Sequence, residues 1–268
     1  MDSVAELISG YSVSLSEQRV WLEPYGKQRL KRFEDLLKSN PEGAICEAET
    51  RKLLSEHKVK VEPYEDLSSG GPDFRCTKDS KCFYVEVTCI SKDTAAKKTG
   101  LSDELPKPSR VQRFGLPTQR IFYELRKKAS QCRNLDEPCI VAICTLHFQA
   151  GCLCLGKMAA EHLLTGTPNV TFNIDSSRGE AVGSPYQSTE LQDAVYIRPD
   201  KTSGTSIEEA RRTISGVLLC PFGSLPVEVV GVLHPNPSHP FDRTLLPKIK
   251  FCRLAEGYRT GRFTVEWI

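Results

Sequence analysis

The chain lacks the segments that would place it in a membrane or outside the cell. No hydrophobic run approaches the roughly 20 residues that a membrane-spanning helix needs. The opening residues, MDSVAELISGYSVS, contain an acid at once and no basic start followed by an apolar run, so they do not indicate a secretory signal. We therefore expect a cytoplasmic protein with no membrane partner.

An excess of charge of one sign is also missing. The 36 Lys and Arg residues offset 34 Asp and Glu residues, which leaves a formal net charge of +2. This balance does not indicate a nucleic-acid partner, so any basic surface has to be local. There is also no GxSxG, no P-loop and no GxGxxG, so the sequence gives no support for a serine triad or for nucleotide binding.

Cysteine is plentiful, with 11 residues, but no CxxC pair occurs. Several thiols lie in apolar runs such as CIVAIC and GVLLC, where cysteine behaves as a small hydrophobe. Cys152 and Cys154 are spaced too closely for the usual zinc pair, and His234 and His239 lie among prolines that predict a rigid loop. We therefore predict reduced core thiols in preference to a zinc site.

The order of the predicted elements indicates an α/β fold, with a mixed central sheet flanked by helices. Lys81–Ile90 is rich in β-branched and aromatic residues and predicts a strand. A helix is predicted over 118–134, and the apolar run at 137–148 is typical of a central strand covered on both faces. A strand, a crossover helix and a strand in this order are expected to be parallel and right-handed.

No low-complexity linker interrupts the chain, and we interpret it as a single domain. Its predicted parts are a helical arm over 1–43, a core over 44–150, and a C-terminal extension of the same domain over 151–268, with additional strands and helices.

Local patterns carry four more predictions. Ser16 is expected to cap a helix over 17–38. Residues 91–117, with six basic side chains and three prolines, predict a long loop. A capping box that begins at Ser206 predicts a helix, and the polar residues of 165–187 predict a loop.

Two acidic residues occur where a turn and a strand would bring them together. The GGPDF motif over 70–74 leads Asp73 from a turn into a strand, and Glu86 lies midway along the strand that follows. Period-two alternation places Glu86 and Thr88 on one face of that strand, opposite a fully apolar face. An unpaired carboxylate in a strand that otherwise reads as buried is costly, so a partner is expected.

This arrangement resembles the PD-(D/E)XK nuclease superfamily, which has the restriction endonuclease-like fold. The resemblance covers about a hundred residues, and its short motif agrees with its context of turn, strand, crossover helix and buried strand. It implies phosphodiester hydrolysis with Mg²⁺, or Mn²⁺, held by Asp73 and Glu86. The alternative is that Asp73 is a turn residue and Glu86 faces water at a sheet edge.

The family tends to place a further glutamate on the helix before the aspartate, and Glu47 and Glu49 compete for that role. Glu49 is preferred as the third metal ligand because Ile45 and Leu53 lie one turn to either side of it on the same helix face. A carboxylate within an apolar stripe indicates a specific role.

The family's lysine position, two residues after the glutamate, is occupied here by Thr88. A threonine hydroxyl can hold a water molecule but supplies no positive charge. Members of the superfamily sometimes carry the lysine on another element, and Lys128 on the predicted crossover helix is the preferred candidate, with Lys92 second. The alternative for Lys128 is an ordinary solvated lysine beside two other basic residues.

Residues 91–133 supply the local positive charge that the whole-chain balance hides. They carry eleven Lys and Arg against four Asp and Glu, and they follow the proposed site directly. Such a surface attracts a phosphate backbone without reading bases. The sequence therefore predicts a magnesium-dependent nuclease that acts on DNA, with Asp73, Glu86, Thr88 and Lys128 as its catalytic residues. The competing interpretation is a catalytically inactive scaffold of the same fold that binds nucleic acid or a protein partner.

Overall fold

The computed structural model describes residues 4–65, 70–103, 128, 132, 135–175, 180–190, 194–199, 207–256 and 263–268. Within these ranges the chain forms seven α-helices, none of which has the length and apolar character needed to cross a bilayer. The helices are α1 (Val4–Gly10), α2 (Ser12–Leu22), α3 (Lys27–Ser39), α4 (Pro41–Glu56), α5 (Lys92–Thr99), α6 (Phe148–Cys154) and α7 (Lys157–Thr165).

Twelve strands are described. They are β1 (Lys60–Pro63), β2 (Phe74–Lys78), β3 (Lys81–Ile90), β4 (Cys139–Thr145), β5 (Thr167–Asp175), β6 (Glu180–Glu190), β7 (Ile197–Pro199), β8 (Ile207–Glu209), β9 (Gly216–Cys220), β10 (Val230–Leu233), β11 (Lys250–Leu254) and β12 (Val265–Trp267).

Eight of these strands form one mixed sheet in the order β1-β2-β3-β4-β9-β10-β11-β12. The first three pair antiparallel, whereas β3, β4 and β9 run parallel. The predicted α/β class with a mixed central sheet is therefore confirmed, as is the parallel pairing of β3 with β4. Two small antiparallel pairs, β5 with β6 and β7 with β8, complete the described strands.

The two faces of β3 contribute to separate hydrophobic cores, as period-two alternation predicts. Phe83 and Val85 pack with α4 and the N-terminal helices on one side of the sheet. Tyr84 and Ile90 pack on the other side with α6 and α7. All seven residues of β4 are buried, which is expected for a central strand covered by helices on both faces. The sheet therefore holds Glu86 of β3 inside the protein.

The N-terminal arm consists of three helices, and the first begins at Val4, before the single helix predicted over 17–38. Ser16 lies inside α2, so its predicted role as a helix cap is wrong. A 3₁₀ turn over Glu23–Tyr25 interrupts the predicted helix, because Pro24 cannot continue the hydrogen-bond ladder of α2. Side chains of α2 and α3, among them Leu15 and Phe33, are buried against α4.

Three predicted local structures are wrong. The predicted loop over 91–117 contains α5, which the Ser91 side chain caps by accepting a hydrogen bond from the Thr94 amide. The capping box at Ser206 precedes β8 instead of a helix, and the predicted loop over 165–187 includes the β5–β6 hairpin. In the last two cases strand pairing overrides local propensity. Most of the helix predicted over 118–134 lies outside the described residues, although Lys128 is helical.

The cysteines follow the prediction of reduced core thiols. All eleven are free, and eight of them are buried. Cys152 is exposed and Cys154 is buried. His234 is buried and contacts the Ala210 carbonyl through Nε2 at 2.8 Å.

Candidate functional site

Strands β2 and β3 bring Asp73 and Glu86 side by side. Asp73 directly precedes β2, whose first residue, Phe74, is paired with Val85. The Asp73 Oδ2 atom accepts a hydrogen bond of 2.6 Å from the Val87 amide, which holds this carboxylate against β3. Glu86 is 3% exposed on a strand between two others, so the interpretation of Glu86 as a water-facing edge residue is wrong.

A lysine contacts Glu86, and it is Lys128, the preferred candidate. The Lys128 Nζ atom lies 2.5 Å from Glu86 Oε1. The Lys128 side chain is 23% exposed, so its amine reaches the buried carboxylate from the solvent side. Lys92, the second candidate, has its Nζ atom 2.8 Å from Asp103 Oδ2, and its backbone amide donates to Glu42. The structure therefore brings Lys128 to Glu86 and engages Lys92 with Asp103.

Helix α4 brings Glu47, and not Glu49, towards these carboxylates. Glu47 and Asp73 line a cavity of about 50 Å³, together with Glu65 and Arg32. Glu49 lines a different groove, with Lys52 and Leu53. Two residues apart on a helix point in nearly opposite directions, so only one of the two glutamates can face the site. The preference for Glu49 failed because Leu53 belongs to the stripe that faces this second groove.

Burial and mutual repulsion raise the pKa of each of these three carboxyl groups. Burial raises the pKa of Glu47 to about 8, with Glu65 and Glu86 adding to the rise and Arg32 and Lys128 opposing it. Burial also holds the pKa of Asp73 well above its usual range, and the charges of Glu47 and Glu86 add to the effect.

At Glu86, Lys128 opposes the rise in pKa that burial causes. Burial raises the pKa of Glu86, but the adjacent Lys128 ammonium and the hydrogen bond that it donates lower it. The cluster thus contains more carboxyl groups than its nearby cations neutralise. Such a cluster favours the binding of protons or of an additional cation.

Two side chains at this site were not predicted from the sequence. Arg32 of α3 forms an ion pair with Glu65, and the Arg29 Nη1 atom donates to the Glu65 carbonyl at 3.3 Å. The spacing of Arg29, Arg32 and Phe33 allows these side chains to share one face of α3. The arm therefore contributes positive charge to the cavity as well as apolar contacts.

Two polar atoms on the face of β3 that carries Glu86 and Thr88 lack a hydrogen-bond partner within the described part of the chain. Among the described side chains, Glu86 Oε2 and Thr88 Oγ1 are buried and have no hydrogen-bond partner. A buried polar atom without a partner is costly, and a water molecule or an ion would remove that cost. Glu86 and Thr88 share this face, so one bound species would be able to contact both.

The donor set suits a hard divalent cation. Asp73, Glu86 and Glu47 offer carboxylate oxygens, which Mg²⁺ and Mn²⁺ prefer. In the part of the chain that the structure describes, no three His, Cys, Asp or Glu side chains are arranged as a ready-made metal-binding group. The observations that favour a cation here are the raised pKa values and the unpaired oxygen of Glu86.

Comparison with known proteins adds no family to this description. No family model, curated protein or solved structure matches the chain. The functional inference therefore depends on the geometry of Asp73, Glu86, Glu47 and Lys128.

Proposed function

We propose that this protein is a nuclease of the PD-(D/E)XK type that uses Mg²⁺ or Mn²⁺ to hydrolyse phosphodiester bonds in DNA. The observation that carries the proposal is the contact of 2.5 Å between Lys128 Nζ and Glu86 Oε1. It supplies, from another element, the positive charge that Thr88 cannot provide.

The order of elements around this contact supports the same proposal. Helix α4 carries Glu47, the GGPDF turn leads Asp73 into β2, and Glu86 lies midway along the central strand β3. Lys128 follows, and β4 then runs parallel to β3 as a fully buried strand. This succession of turn, central strand, helical residue and buried strand is the context on which the resemblance depends.

Each side chain has a role in this proposal. Asp73, Glu86 and Glu47 would hold the cation, with Glu47 replacing Glu49 as the third ligand. A bound divalent cation would activate water and neutralise charge on the phosphate. The Lys128 ammonium, fixed by Glu86, would stabilise negative charge that develops at the reacting phosphate. The unpaired Thr88 hydroxyl would hold the attacking water in place.

Positive charge that follows β3 along the chain favours a nucleic-acid substrate. Lys97 and Lys98 lie in the last turn of α5, which directly follows β3. Lys and Arg side chains in such a position bind the phosphate backbone without reading bases. The remaining basic residues of 104–127 lie outside the described residues.

The first test is calorimetric titration of Mg²⁺ and Mn²⁺ into the wild-type protein and three variants. Asp73→Asn and Glu47→Gln are expected to lose cation binding, because each removes a carboxylate ligand. Glu49→Gln is the matched control, since it changes the same helix but faces another groove, and it should bind like the wild type. No cation binding by the wild type would refute the metal site.

The second test separates catalysis from binding. Lys128→Met should bind cations while its cleavage of plasmid DNA falls about 100-fold or more, as expected for loss of a charge used in the transition state. Lys52→Met, which alters a lysine of α4 away from the site, should cleave normally. Cation binding without cleavage by the wild type would instead support the inactive scaffold. Normal cleavage by a folded Lys128→Met protein would contradict the role of Lys128.

A further inference from the structure

Two cysteines meet beside the helical turn that carries Lys128. The Sγ atoms of Cys132 and Cys139 are 2.9 Å apart. A disulfide bond is about 2.05 Å long, so the two atoms are not bonded, but they are closer than two sulfur atoms in ordinary contact. Cys132 is 2% exposed and Cys139 is 1% exposed. The pair is therefore already positioned in the folded protein.

Cys139 is fixed to the central sheet. It is the first residue of β4 and is paired with Tyr84 of β3. Its amide also donates a hydrogen bond of 3.0 Å to the buried Ser215 hydroxyl. The position opposite Glu86 is Val141, only two residues along β4. Cys139 thus marks a rigid point close to the carboxylate site.

Cys132, the other cysteine of the pair, is linked to Lys128 through the backbone. Its amide donates a hydrogen bond of 3.2 Å to the Lys128 carbonyl, so the two residues are one helical turn apart. A covalent bond from Cys132 to Cys139 would attach the turn of Lys128 to β4. The sequence places six residues between the two cysteines, a short loop that a disulfide can close.

We propose that Cys132 and Cys139 form a reversible disulfide in the folded protein. The oxidant would be a low-molecular-weight disulfide such as oxidised glutathione. One cysteine thiolate attacks it, which forms a mixed disulfide and releases one small thiolate. The second cysteine then attacks the protein sulfur of that mixed disulfide and releases the other small thiolate. The net change joins the two Sγ atoms, and two electrons and two protons pass to the two small thiols.

The bond requires the two sulfur atoms to move closer by less than about 1 Å. The Sγ atoms would need to approach by about 0.9 Å, the difference between the observed 2.9 Å and the length of a disulfide bond. Oxidation would therefore leave the Lys128–Glu86 contact in place and restrict the motion of the Cys132 turn. This inference concerns the thiols alone and does not depend on the protein being a nuclease.

Other thiols also contact one another, and the test has to distinguish them. Cys46, Cys144 and Cys220 form a group in the core between α4 and the sheet, and each is fully buried. Cys152 is exposed and would react first with any oxidant in solution. The proposal is specific to the pair of Cys132 and Cys139.

Tryptic mapping provides the test, because Arg133 lies between the two cysteines. The folded wild-type protein is incubated with oxidised glutathione for hours, since burial slows thiol exchange, and remaining thiols are then blocked with an alkylating reagent. Trypsin separates residues 129–133 from 134–157, so a linked peptide proves a disulfide, and fragmentation identifies the partner of Cys132. The expected result is a link to Cys139 that a dithiol reductant removes.

Three variants complete the design. Cys152→Ser should form the linked peptide like the wild type, whereas Cys132→Ser and Cys139→Ser should not. In the oxidised wild type, hydrogen exchange at the Cys132 amide should slow several-fold relative to the reduced protein. The proposal is overturned if the link forms only after unfolding in denaturant, if Cys132 pairs with another cysteine, or if all thiols stay reduced.

Discussion

The charge of Glu47 gives a prediction that does not require any enzyme assay. In the cation-free protein the pKa of Glu47 is raised to about 8 from its usual 4.5, so the folded state retains a proton that the unfolded state releases. The stability of the wild type should therefore fall as pH rises from about 4.5 to about 8, and should level off above that. Glu47→Gln carries no such charge, and its stability should not show this decline.

The size of the effect follows from the rise in pKa. A change from 4.5 to about 8 corresponds to roughly 5 kcal/mol against the charged form. Glu47 keeps some contact with solvent, which screens the charge, so we expect Glu47→Gln to be more stable than the wild type by about 2 to 3 kcal/mol near pH 8. At about pH 4.5 the two should differ little, because glutamine resembles a protonated glutamate.

Urea unfolding across this pH range, with a chelator present, measures the difference directly. Glu49→Gln is the control and should follow the wild-type profile. Added Mg²⁺ should stabilise the wild type near pH 8 but not Glu47→Gln, because a bound cation replaces the proton. A constant difference between Glu47→Gln and the wild type at every pH would refute the reasoning, as would an equal response of Glu49→Gln.

Three other predictions follow from the same structure. Mg²⁺ affinity should increase from pH 6 towards about 8 with release of protons, because Asp73 and Glu47 must ionise to bind a cation, and calorimetry in two buffers of different ionisation enthalpy measures this release. Burial lowers the pKa of His234 to about 4, so stability should fall as pH decreases from about 6.5 towards 4, and His234→Gln should flatten that part of the unfolding profile. Thr88→Val removes a buried hydroxyl without a partner, so unfolding should show a stability equal to or up to about 1 kcal/mol above that of the wild type, whereas DNA cleavage should fall if Thr88 holds the attacking water.

The sequence predicted the centre of the sheet better than its surroundings. Strand β3 was predicted with its observed limits, since six of its ten residues are β-branched or aromatic. The helix expected at Ser206 and the loop expected over 165–187 were wrong because their local signals were weak. Backbone pairing of β5 with β6 and of β7 with β8 decided both, and the local residue types did not indicate that pairing.

In the candidate site, too, the residues on adjacent strands were easier to predict than those whose position depends on helix packing. Asp73 and Glu86 lie together as predicted, because adjacent strands fix their positions within a few residues. The choice between Glu47 and Glu49 depended on which face of α4 meets the sheet, and Arg32 depended on how α3 packs against α4. Both are tertiary relationships.

The position of the lysine has a physical reason in the burial of β3. A lysine in place of Thr88 would start from a residue that is only 8% exposed, and its ammonium would lose most of its hydration. From Lys128 the amine contacts Glu86 while 23% of the lysine side chain stays in solvent, so less of its hydration is lost. The position of the amine then depends on the turn of Lys128 and Cys132, and the thiol of Cys132 meets Cys139 on the sheet. The turn that brings the Lys128 amine to Glu86 is therefore also the one that a disulfide would hold in place.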